Sequence, residues 1–375
     1  MKRSEMWCSR CVMRFRRVRR MSGIANADPK VMAAAGMFEQ KSAGARMLRI
    51  FIIFISVTLL TSCAAKPEWV LAIHGGAGGV PKDLPPAEIQ RIKDTLRKAL
   101  DTGSRILASG GTSVAAVESA VRVMEDSGVL NAGRGAVLNH KGFAELDAAI
   151  MDGRDKKAGA VAALRHIANP IDLARLVMDR SPHVLMVAQG AEEFAQEQGV
   201  ALQPQSYFIT ERRRNELEKE IESQKKPLTK NSLPWHPVGT VGAVALDEKG
   251  NLAAATSTGG LTNKHFGRVG DSPIIGAGTY AENGVCAISA TGAGEVFIRY
   301  AAAAETCARV RYRKDSIESA SKAVILELKA AGGEGGMIAM DANGHVAMPY
   351  SSQTMLRGEV SSKSAARVVV ATVGP

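Results

Sequence analysis

Apolar positions follow two patterns along the chain, and together these patterns predict a mixture of strands and helices. Short continuous apolar runs are typical of buried strands, and runs with a period near 3.6 residues are typical of amphipathic helices. Predicted strands lie at about 69–73, 144–151, 158–164, 183–188, 238–247, 252–256, 284–290, 337–341, 345–348 and 367–372. Predicted helices lie at about 86–100, 113–125, 170–178, 191–198, 295–309 and 316–331. Pairs of helices between many strands predict one α+β domain in which helices cover stacked sheets.

A glycine-rich loop at 74–79 follows the first predicted strand. Loops of this kind can bind phosphate, but the spacing here matches neither G-x-G-x-x-G nor G-x-x-x-x-G-K-[ST]. We therefore expect the loop to allow close backbone packing rather than to bind a nucleotide.

The composition changes at 211–237, where charged residues replace most of the apolar periodicity. We interpret this segment as a linker or a mobile loop. It ends abruptly at Gly239-Thr240, where a buried strand begins. Cleavage of the bond between these two residues would make Thr240 an N-terminus, although a Gly-Thr pair before a strand is by itself typical of an ordinary turn.

The positive charge of the chain is concentrated at its beginning. The net charge is +11, but residues 1–46 hold 11 Lys/Arg against 3 Asp/Glu, so the rest of the chain is much closer to neutral. Such a body gives no indication of a nucleic-acid partner. We interpret 1–46 as a misannotated N-terminal extension, with translation starting at Met47.

Residues 47–63 predict a lipoprotein signal peptide. A positive start precedes an apolar run of 11 residues, which is too short to span a bilayer. The stretch LTSC at 60–63 resembles the lipobox of bacterial lipoproteins, in which the cysteine, here Cys63, becomes lipidated. An ordinary signal peptide with a chance cysteine is the alternative. Either interpretation predicts export, and the lipobox predicts a periplasmic protein that contacts the membrane through its lipid anchor alone.

The remaining cysteines of the exported part are Cys286 and Cys307. The first lies in a strand-like run and the second in a helix-like run, so two separate buried thiols are expected rather than a disulfide. Histidines and cysteines with zinc spacing do not occur in the sequence, nor does an H-E-x-x-H motif.

Three polar, glycine-rich loops each follow an apolar strand in the second half of the chain. They read STGGLTNK at 257–264, GRVGDSP at 267–273 and ATGAGE at 290–295. Together with GTVGAV at 239–244, they resemble the plant-type asparaginase and isoaspartyl peptidase family of N-terminal-nucleophile (Ntn) hydrolases. The resemblance covers most of the exported chain and includes the His74 loop, NAG at 131–133, ELD at 145–147 and GG at 335–336.

The resemblance implies an α+β fold of the Ntn-hydrolase type, a four-layer αββα sandwich. It implies autoproteolysis between Gly239 and Thr240, which gives an α subunit at 64–239 and a β subunit at 240–375. Both subunits would build one domain and associate as an (αβ)2 heterotetramer. The implied substrates are asparagine and β-aspartyl (isoaspartyl) peptides, and the chemistry would require no cofactor.

The chemistry of threonine explains why cleavage would matter. Its hydroxyl is a poor nucleophile until a base takes the proton, and a free α-amine with a pKa of about 7.7–8.0 is such a base. An amide nitrogen cannot act in this way, so the uncut chain should be inactive toward substrate. The Thr240 hydroxyl could still attack the carbonyl of Gly239, which has no side chain to hinder the attack, and water would open the resulting ester.

The resemblance assigns the remaining site residues. Thr258 would hydrogen-bond the oxygen or the amine of Thr240, although a strand-end threonine is the ordinary alternative. Arg268 would hold the substrate α-carboxylate by a bidentate pair, and Asp271 would accept from the α-ammonium. An exposed Arg/Asp ion pair of little energetic value is the alternative for these two residues.

Thr291 and the backbone N–H of Gly292 would form the oxyanion hole and contact the substrate, and Gly294 would shape the turn beside them. A plain strand-to-helix turn is the alternative. Asn131 resembles the family's asparagine that steadies the nucleophile region at the substrate site. Residues 124–130 resemble the family's sodium-binding loop, in which backbone carbonyls ligate a structural Na+ ion; the side chains themselves do not identify a metal.

Two other functions remain open at this point. Glycosylasparaginase shares the fold and the nucleophile but accepts a sugar on the side-chain nitrogen, whereas 258–264 is more similar to the asparaginase branch. A lipoprotein that binds amino acids on an inactive hydrolase scaffold is the second alternative. The segment 349–357 also departs from the family's usual asparagine-threonine-glutamate-glycine-methionine stretch, which leaves the preference among substrates open.

Overall fold

The computed structural model describes residues 67–78, 84–225 and 239–370. Its strands are β1 (Val70–Gly78), β2 (Leu146–Asp152), β3 (Ala158–Leu164), β4 (Leu185–Val187), β5 (Val241–Leu246), β6 (Leu252–Thr258), β7 (Thr279–Glu282), β8 (Cys286–Gly292), β9 (Gly335–Asp341), β10 (Val346–Ala347), β11 (Thr354–Ser361) and β12 (Ser364–Val369). Its helices are α1 (Pro86–Ala108), α2 (Ser113–Asp126), α3 (Pro170–Arg180), α4 (Ala188–Glu197), α5 (Glu211–Gln224), α6 (Gly294–Arg299), α7 (Ala302–Ala308) and α8 (Ile317–Ala330).

The strands form two sheets that stack face to face. One sheet has eight strands in the order β12-β11-β1-β5-β6-β2-β3-β4, and the other has four in the order β10-β9-β8-β7. Helices α1, α2 and α3 pack on the outer face of the larger sheet, and α7 and α8 pack on the outer face of the smaller one. This helix–sheet–sheet–helix arrangement confirms the predicted α+β sandwich.

Small residues allow the two sheets to approach each other. The central strands β5 and β6 read VGAVAL and LAAATST and are buried along their whole length. One apolar cluster lies between the sheets and includes Val244, Ala254 and Ala287. A second cluster lies between the larger sheet and its helices, and a third under α8. Burial on both faces explains why these strands are continuous apolar runs rather than alternating patterns.

The register of the larger sheet determines where the polar ends of its strands meet. Strand β5 lies between β1 and β6, with His74 opposite Gly242 and Val241 opposite Ser257. On the other side of β6, Asp147 lies opposite Thr258. Residues at the beginning of β5 and at the end of β6 therefore come together in the middle of the sheet.

The prediction of a linker over 211–237 is wrong for its first half, which forms helix α5. The Thr210 side chain caps the helix by accepting from the Arg213 N–H, and Arg213 and Leu217 are buried. The guanidinium of Arg213 donates to the Gly135 carbonyl and pairs with Glu216. A buried charged side chain with hydrogen-bond partners thus packs beside the apolar Leu217 and stabilises this helix. Residues 226–238 lie outside the described ranges.

Three further expectations need correction. The predicted helix at 295–309 is two helices, because Ala301 takes a left-handed backbone conformation with φ of 46° between α6 and α7. Strands β7 and β11 were not predicted. Cys286 and Cys307 form a disulfide between β8 and α7 rather than two separate thiols, since their Cα atoms lie 5.7 Å apart across the sheet–helix interface.

Among the residues that the structure describes, no helix is both long and apolar enough to cross a membrane. The predicted extension, signal peptide and lipidation site at Cys63 lie outside those residues.

Candidate active site

Thr240 directly precedes β5 and is buried, with only 7% of its surface exposed. Its Oγ1 donates a hydrogen bond of 3.1 Å to Oγ1 of Thr258, which ends the neighbouring strand β6. The two threonines meet because β5 and β6 are antiparallel neighbours, so the beginning of one lies beside the end of the other. The structure therefore brings the predicted nucleophile and its predicted partner into direct contact.

The turn after β6 holds Thr258 in place. The Gly260 N–H donates to Thr258 Oγ1 at 3.0 Å, and the Asn131 side-chain amide donates to the Gly260 carbonyl at 2.8 Å. Asn131 Oδ1 accepts from the Val137 N–H. Both polar ends of the Asn131 side chain thus bind backbone groups, so this residue acts on the two threonines through the turn.

The glycine loop at 74–78 is part of strand β1, where it pairs with β11, rather than a separate loop after the strand, and it packs against the Gly239–Thr240 peptide. Gly76 has φ of +114°, and a Cβ at this position would overlap Gly239 Cα and lie 3.0 Å from Thr240 N. A Cβ on Gly239 would lie 2.9 Å from the Gly75 carbonyl oxygen. The loop therefore allows a close backbone approach, as the sequence predicted, and the approach is to the bond on which the proposed chemistry depends.

His74 lies fully buried behind this peptide, and sequence reasoning did not assign it a role. Burial lowers the pKa of its imidazole to about 3, against a smaller opposing contribution from the Thr240 backbone. Its Nε2 lies 2.9 Å from Ser289 Oγ, which in turn lies 2.7 Å from Thr256 Oγ1. A neutral histidine thus connects the larger sheet to β8 through hydroxyl groups.

Thr291 and Gly292 lie at the end of β8, across the stacked sheets from the glycine loop. Thr291 is fully buried, and its Oγ1 accepts from the Ala77 N–H at 3.0 Å. Gly292 pairs with Gly335 of β9, and the absence of side chains at both positions allows their backbones to approach. The predicted oxyanion residues are therefore adjacent to the loop that contacts Gly239 and Thr240.

Arg268 and Asp271 come together beside Gly294, as predicted. A Cβ on Gly294 would lie 2.9 Å from Arg268 Nη2 and 3.0 Å from Asp271 Oδ1, so glycine leaves room between these two groups. Asp271 Oδ2 is buried and has no hydrogen-bond partner among the described residues. Burial raises the pKa of this carboxyl to about 7, although Arg268 opposes the increase. An arginine and an unpartnered acid on either side of the same glycine suit a group that carries both a carboxylate and an ammonium.

The two acids of the ELD motif, Glu145 and Asp147, lie beside the loop that carries Arg268. Glu145 accepts from the Gly267 N–H and pairs with Arg165, and its carbonyl accepts from the buried Lys264 ammonium. Asp147 is fully buried; desolvation raises the pKa of its carboxyl, and the charge of Lys264 counteracts this rise. Lys264 and the two acids form a compensated charge cluster behind the site.

The C-terminal segment that departs from the family pattern also reaches the site. Ser351 N–H donates to the Gly335 carbonyl at 2.7 Å, and Tyr350 forms a β-bridge with Gly336. Because Gly335 pairs with Gly292, the unusual residues of this segment lie one backbone away from the predicted oxyanion residues.

Carbonyl groups gather in the turn after α2, where the sequence predicts a sodium loop. A Cβ on Gly133 would lie 2.7 Å from the Glu125 carbonyl oxygen, and one on Gly135 would overlap that of Leu130 and lie 3.0 Å from that of Gly128. Oxygen ligands of this kind suit a hard cation, so the residues present fit sodium. No side-chain cluster of His, Cys, Asp or Glu suited to a metal occurs in the described ranges.

Two charged residues of the site were missed by sequence reasoning. Glu295 binds Arg268 through two hydrogen bonds, and Glu125 lies buried behind Thr258 and accepts from Ser257 Oγ at 2.6 Å. The position of Glu295 directly after Gly294 was a usable signal for the first. Glu125 gave no such signal, because the sequence does not show which charged residue of an amphipathic helix faces another element.

Known proteins are similar in sequence to this chain over nearly the whole described region. A family model described as Asparaginase matches residues 67–370. An isoaspartyl peptidase of Salmonella typhimurium is 47% identical over 293 residues, which cover 77% of this chain and 94% of the relative. An isoaspartyl peptidase of Escherichia coli is 45% identical, with 77% and 91% covered, and an isoaspartyl peptidase/L-asparaginase of Rattus norvegicus is 45% identical, with 76% and 84% covered.

The family model and the named relatives agree with the resemblance to the asparaginase family that the glycine-rich loops indicated. The fold of stacked sheets agrees with it as well. The matches to named hydrolases favour an enzyme over an inactive binding protein. The chain belongs to the asparaginase family of Ntn hydrolases.

Proposed function

We propose that this chain is an isoaspartyl peptidase and L-asparaginase whose nucleophile, Thr240, is released by autoproteolysis. The observation that carries the proposal is the 3.1 Å hydrogen bond between the Thr240 and Thr258 hydroxyls, with Thr240 directly before a buried central strand. The names of the relatives support the choice of substrates.

Autoproteolysis begins with attack of Thr240 Oγ1 on the carbonyl carbon of Gly239. The peptide nitrogen of Thr240 leaves as the free amine while the acyl group moves to the oxygen, and water then hydrolyses the ester. A cavity of about 70 Å3 lies against Gly239, between the glycine loop and the Arg212–Arg213 side of α5. It is large enough for water molecules, which this step consumes.

Hydrolysis of substrate repeats the same chemistry with a new base. The free α-amine of Thr240 takes the proton from Oγ1, which attacks the side-chain carbonyl carbon of an asparaginyl or β-aspartyl group. The developing oxyanion would be stabilised by Thr291 and the Gly292 N–H. The amine leaves with the proton, and water opens the β-aspartyl ester on Thr240 to give aspartate.

The amino-acid end of the substrate would be recognised by Arg268 and Asp271. Arg268 binds the α-carboxylate, and Asp271 accepts from the α-ammonium with its unpartnered Oδ2. Because the pKa of Asp271 is about 7 in the empty site, a substrate ammonium would favour its ionised form.

Three further features complete the proposal. A sodium ion would bind the carbonyls of Glu125, Gly128 and Leu130, where it would stabilise the turn that carries Asn131. The two cleaved subunits would associate as an (αβ)2 heterotetramer, which light scattering measures directly. Lipidation of the exported protein would require Cys63, so a Cys63→Ala variant should not incorporate labelled palmitate.

Substrate assays test the proposed activity. The purified exported part, residues 64–375, is given L-asparagine, a β-aspartyl dipeptide and a glycosylated asparagine in parallel. We expect hydrolysis of the first two and little of the third. A clear preference for the glycosylated compound would assign the chain to glycosylasparaginase instead, and no hydrolysis of any of them by the cleaved protein would contradict the proposal.

A further inference from the structure

Arg268 is held in one orientation before any substrate arrives. Its Nε donates to Glu295 Oε1 at 2.9 Å, and its Nη2 donates to Glu295 Oε2 at 3.0 Å. The Arg268 side chain is 16% exposed, whereas that of Glu295 is 60% exposed. The acid therefore reaches in from the rim of the site to a guanidinium that is mostly buried.

Three glycines lie close to the rest of the guanidinium. A Cβ on Gly260 would lie 3.2 Å from Arg268 Nη1, one on Gly270 would lie 2.9 Å from the same atom, and one on Gly294 would lie 2.9 Å from Nη2. These backbone surfaces confine the plane of the guanidinium but supply no side-chain acceptor. Glu295 is thus the side chain to which the structure assigns hydrogen bonds from this arginine.

The geometry of the pair leaves one edge of the guanidinium available. An arginine has five N–H donors, and a bidentate carboxylate on Nε and Nη2 uses two of them. The donors on Nη1 and the second donor on Nη2 point away from Glu295, and Nη2 lies beside the space next to Gly294 and Asp271. A second carboxylate can therefore bind without displacing the first.

Charge favours the same arrangement. Burial opposes ionisation of Glu295, but the hydrogen bonds and charge of Arg268 leave the pKa of this carboxyl below its usual value. An ionised Glu295 therefore partners Arg268 at neutral pH. A flexible arginine loses rotamer freedom when it binds a ligand, and a partner that holds it in place removes part of that loss beforehand.

We infer that Glu295 is a positioning residue that orients Arg268, so that the free edge of the guanidinium receives the α-carboxylate of the substrate. This inference rests on the proposed function. Glu295 should therefore affect binding of the substrate α-carboxylate and not the chemical step. The reason is that Glu295 contacts Arg268 and not Thr240, Thr258 or Thr291.

The test compares Glu295→Gln and Glu295→Ala with the wild type. We expect autoproteolysis to be complete in both variants, kcat to stay within about twofold, and KM for L-asparagine to rise about tenfold, more for Ala than for Gln. The dissociation constant of L-aspartate, measured by calorimetry, should rise by the same factor. For L-asparagine α-amide, which lacks the carboxylate, KM should not change between wild type and variants.

A matched control is available on the opposite side of the smaller sheet. Arg309 binds Glu327 through two hydrogen bonds of 2.8 Å, with side-chain exposures of 11% and 48%. Glu327→Gln removes a comparable ion pair away from the site and should leave KM unchanged.

Several results would overturn the inference. A lower KM in Glu295→Gln would mean that Glu295 competes with the substrate, a fall in kcat alone would place it in the chemical step, and unchanged constants would make the pair incidental. An equal rise in KM for the α-amide would show a general distortion. Wild-type hydrolysis decides the proposed function separately, and aspartate binding decides the inference even if turnover is absent.

Discussion

A single hydroxyl contact explains how a threonine could react in this fold. Thr258 Oγ1 accepts from both Thr240 Oγ1 and the Gly260 N–H, so its own proton is directed elsewhere in the uncut chain. In the proposed mechanism, Thr240 would lose its proton to the new amine, and the Thr258 hydroxyl would then rotate and donate to the nucleophilic oxygen. The same side chain would thus serve as acceptor before the attack and as donor during it.

Replacement of Thr258 tests this account. Thr258→Val keeps the shape but removes the hydroxyl, and we expect kcat to fall by about 10²–10³-fold, the usual cost of removing one hydrogen bond at a reacting oxygen. Thr258→Ser should restore most of the rate. Thr306→Val is the matched control, because the buried Thr306 hydroxyl bonds only within its own helix and to Met337. Equal rates for Thr258→Val and wild type would contradict the role.

If Asp271 binds the substrate ammonium as proposed, substrate binding should depend on pH. Its carboxyl must be ionised to accept from an ammonium, and its pKa of about 7 in the empty site means that protons compete with substrate. KM for L-asparagine should therefore rise roughly tenfold per pH unit below about 7. A substrate analogue without the α-amine should show no such rise. A flat KM over this range would show that Asp271 does not bind the ammonium.

At the scale of elements, the strands near the site were the most predictable part. Strand β3 has the predicted bounds, and β5 and β6 differ from prediction by at most three residues at either end, because burial on both faces makes each a continuous apolar run. The loops GRVGDSP and ATGAGE identified Arg268, Asp271 and Thr291. Their proximity followed from the resemblance, since spacing alone does not show which strands are neighbours.

Contacts distant in sequence account for what could not be predicted. Helix α5 depends on a buried Arg213 that binds the Gly135 carbonyl, a partner 78 residues away. The Cys286–Cys307 disulfide depends on which face of α7 packs on β8. Glu125 became visible only when folding placed its carboxylate beside Ser257, and the partner of Glu295, Arg268, lies 27 residues away in sequence.

The buried Glu125 at the end of α2 predicts a pH-dependent stability. Burial raises the pKa of its carboxyl from 4.5 to about 8, Asp172 adds to the rise, and Ser257 and the Ile171 N–H oppose it. A group whose pKa is raised on folding stabilises fully below 4.5, and that contribution is lost as the pH rises through 8.

Glu125→Gln should remove this dependence. Relative to wild type, the variant should gain free energy of unfolding as the pH rises from 4.5 to 8, as measured by urea denaturation. Glu222→Gln, an exposed position of α5, should follow the wild type at every pH. Parallel curves for wild type and Glu125→Gln would show that Glu125 is ionised in the folded protein.

The disulfide joins β8, which carries Thr291, to α7 across a buried interface. It closes a segment with a sequence separation of 21, for which loop-closure entropy predicts a stabilisation of about 3 kcal/mol. A Cys286→Ala/Cys307→Ala variant should unfold at lower denaturant concentration, and a reductant should shift the wild type but not the variant. If the reductant shifts neither protein, the bridge does not form.

At the scale of the whole molecule, the proposed break in the chain lies at the edge of a continuous core. Strand β5 lies in the middle of the larger sheet, and cleavage before it would leave its hydrogen bonds to β1 and β6 intact. The fold can therefore retain both pieces after the Gly239–Thr240 bond is lost. This is the reason why a structural core and a new reactive amine can coexist at Thr240.

Measurement of the intact mass, together with a denaturing gel, tests most directly whether the chain cleaves itself between Gly239 and Thr240. Purified residues 64–375 of the wild type should give two chains that meet between Gly239 and Thr240, and Thr240→Ala should give one uncut chain of the full mass. A wild-type protein that stays in one piece after prolonged incubation, or that is cut at another bond, would contradict the account, because the amine on which the proposed hydrolysis depends would never form.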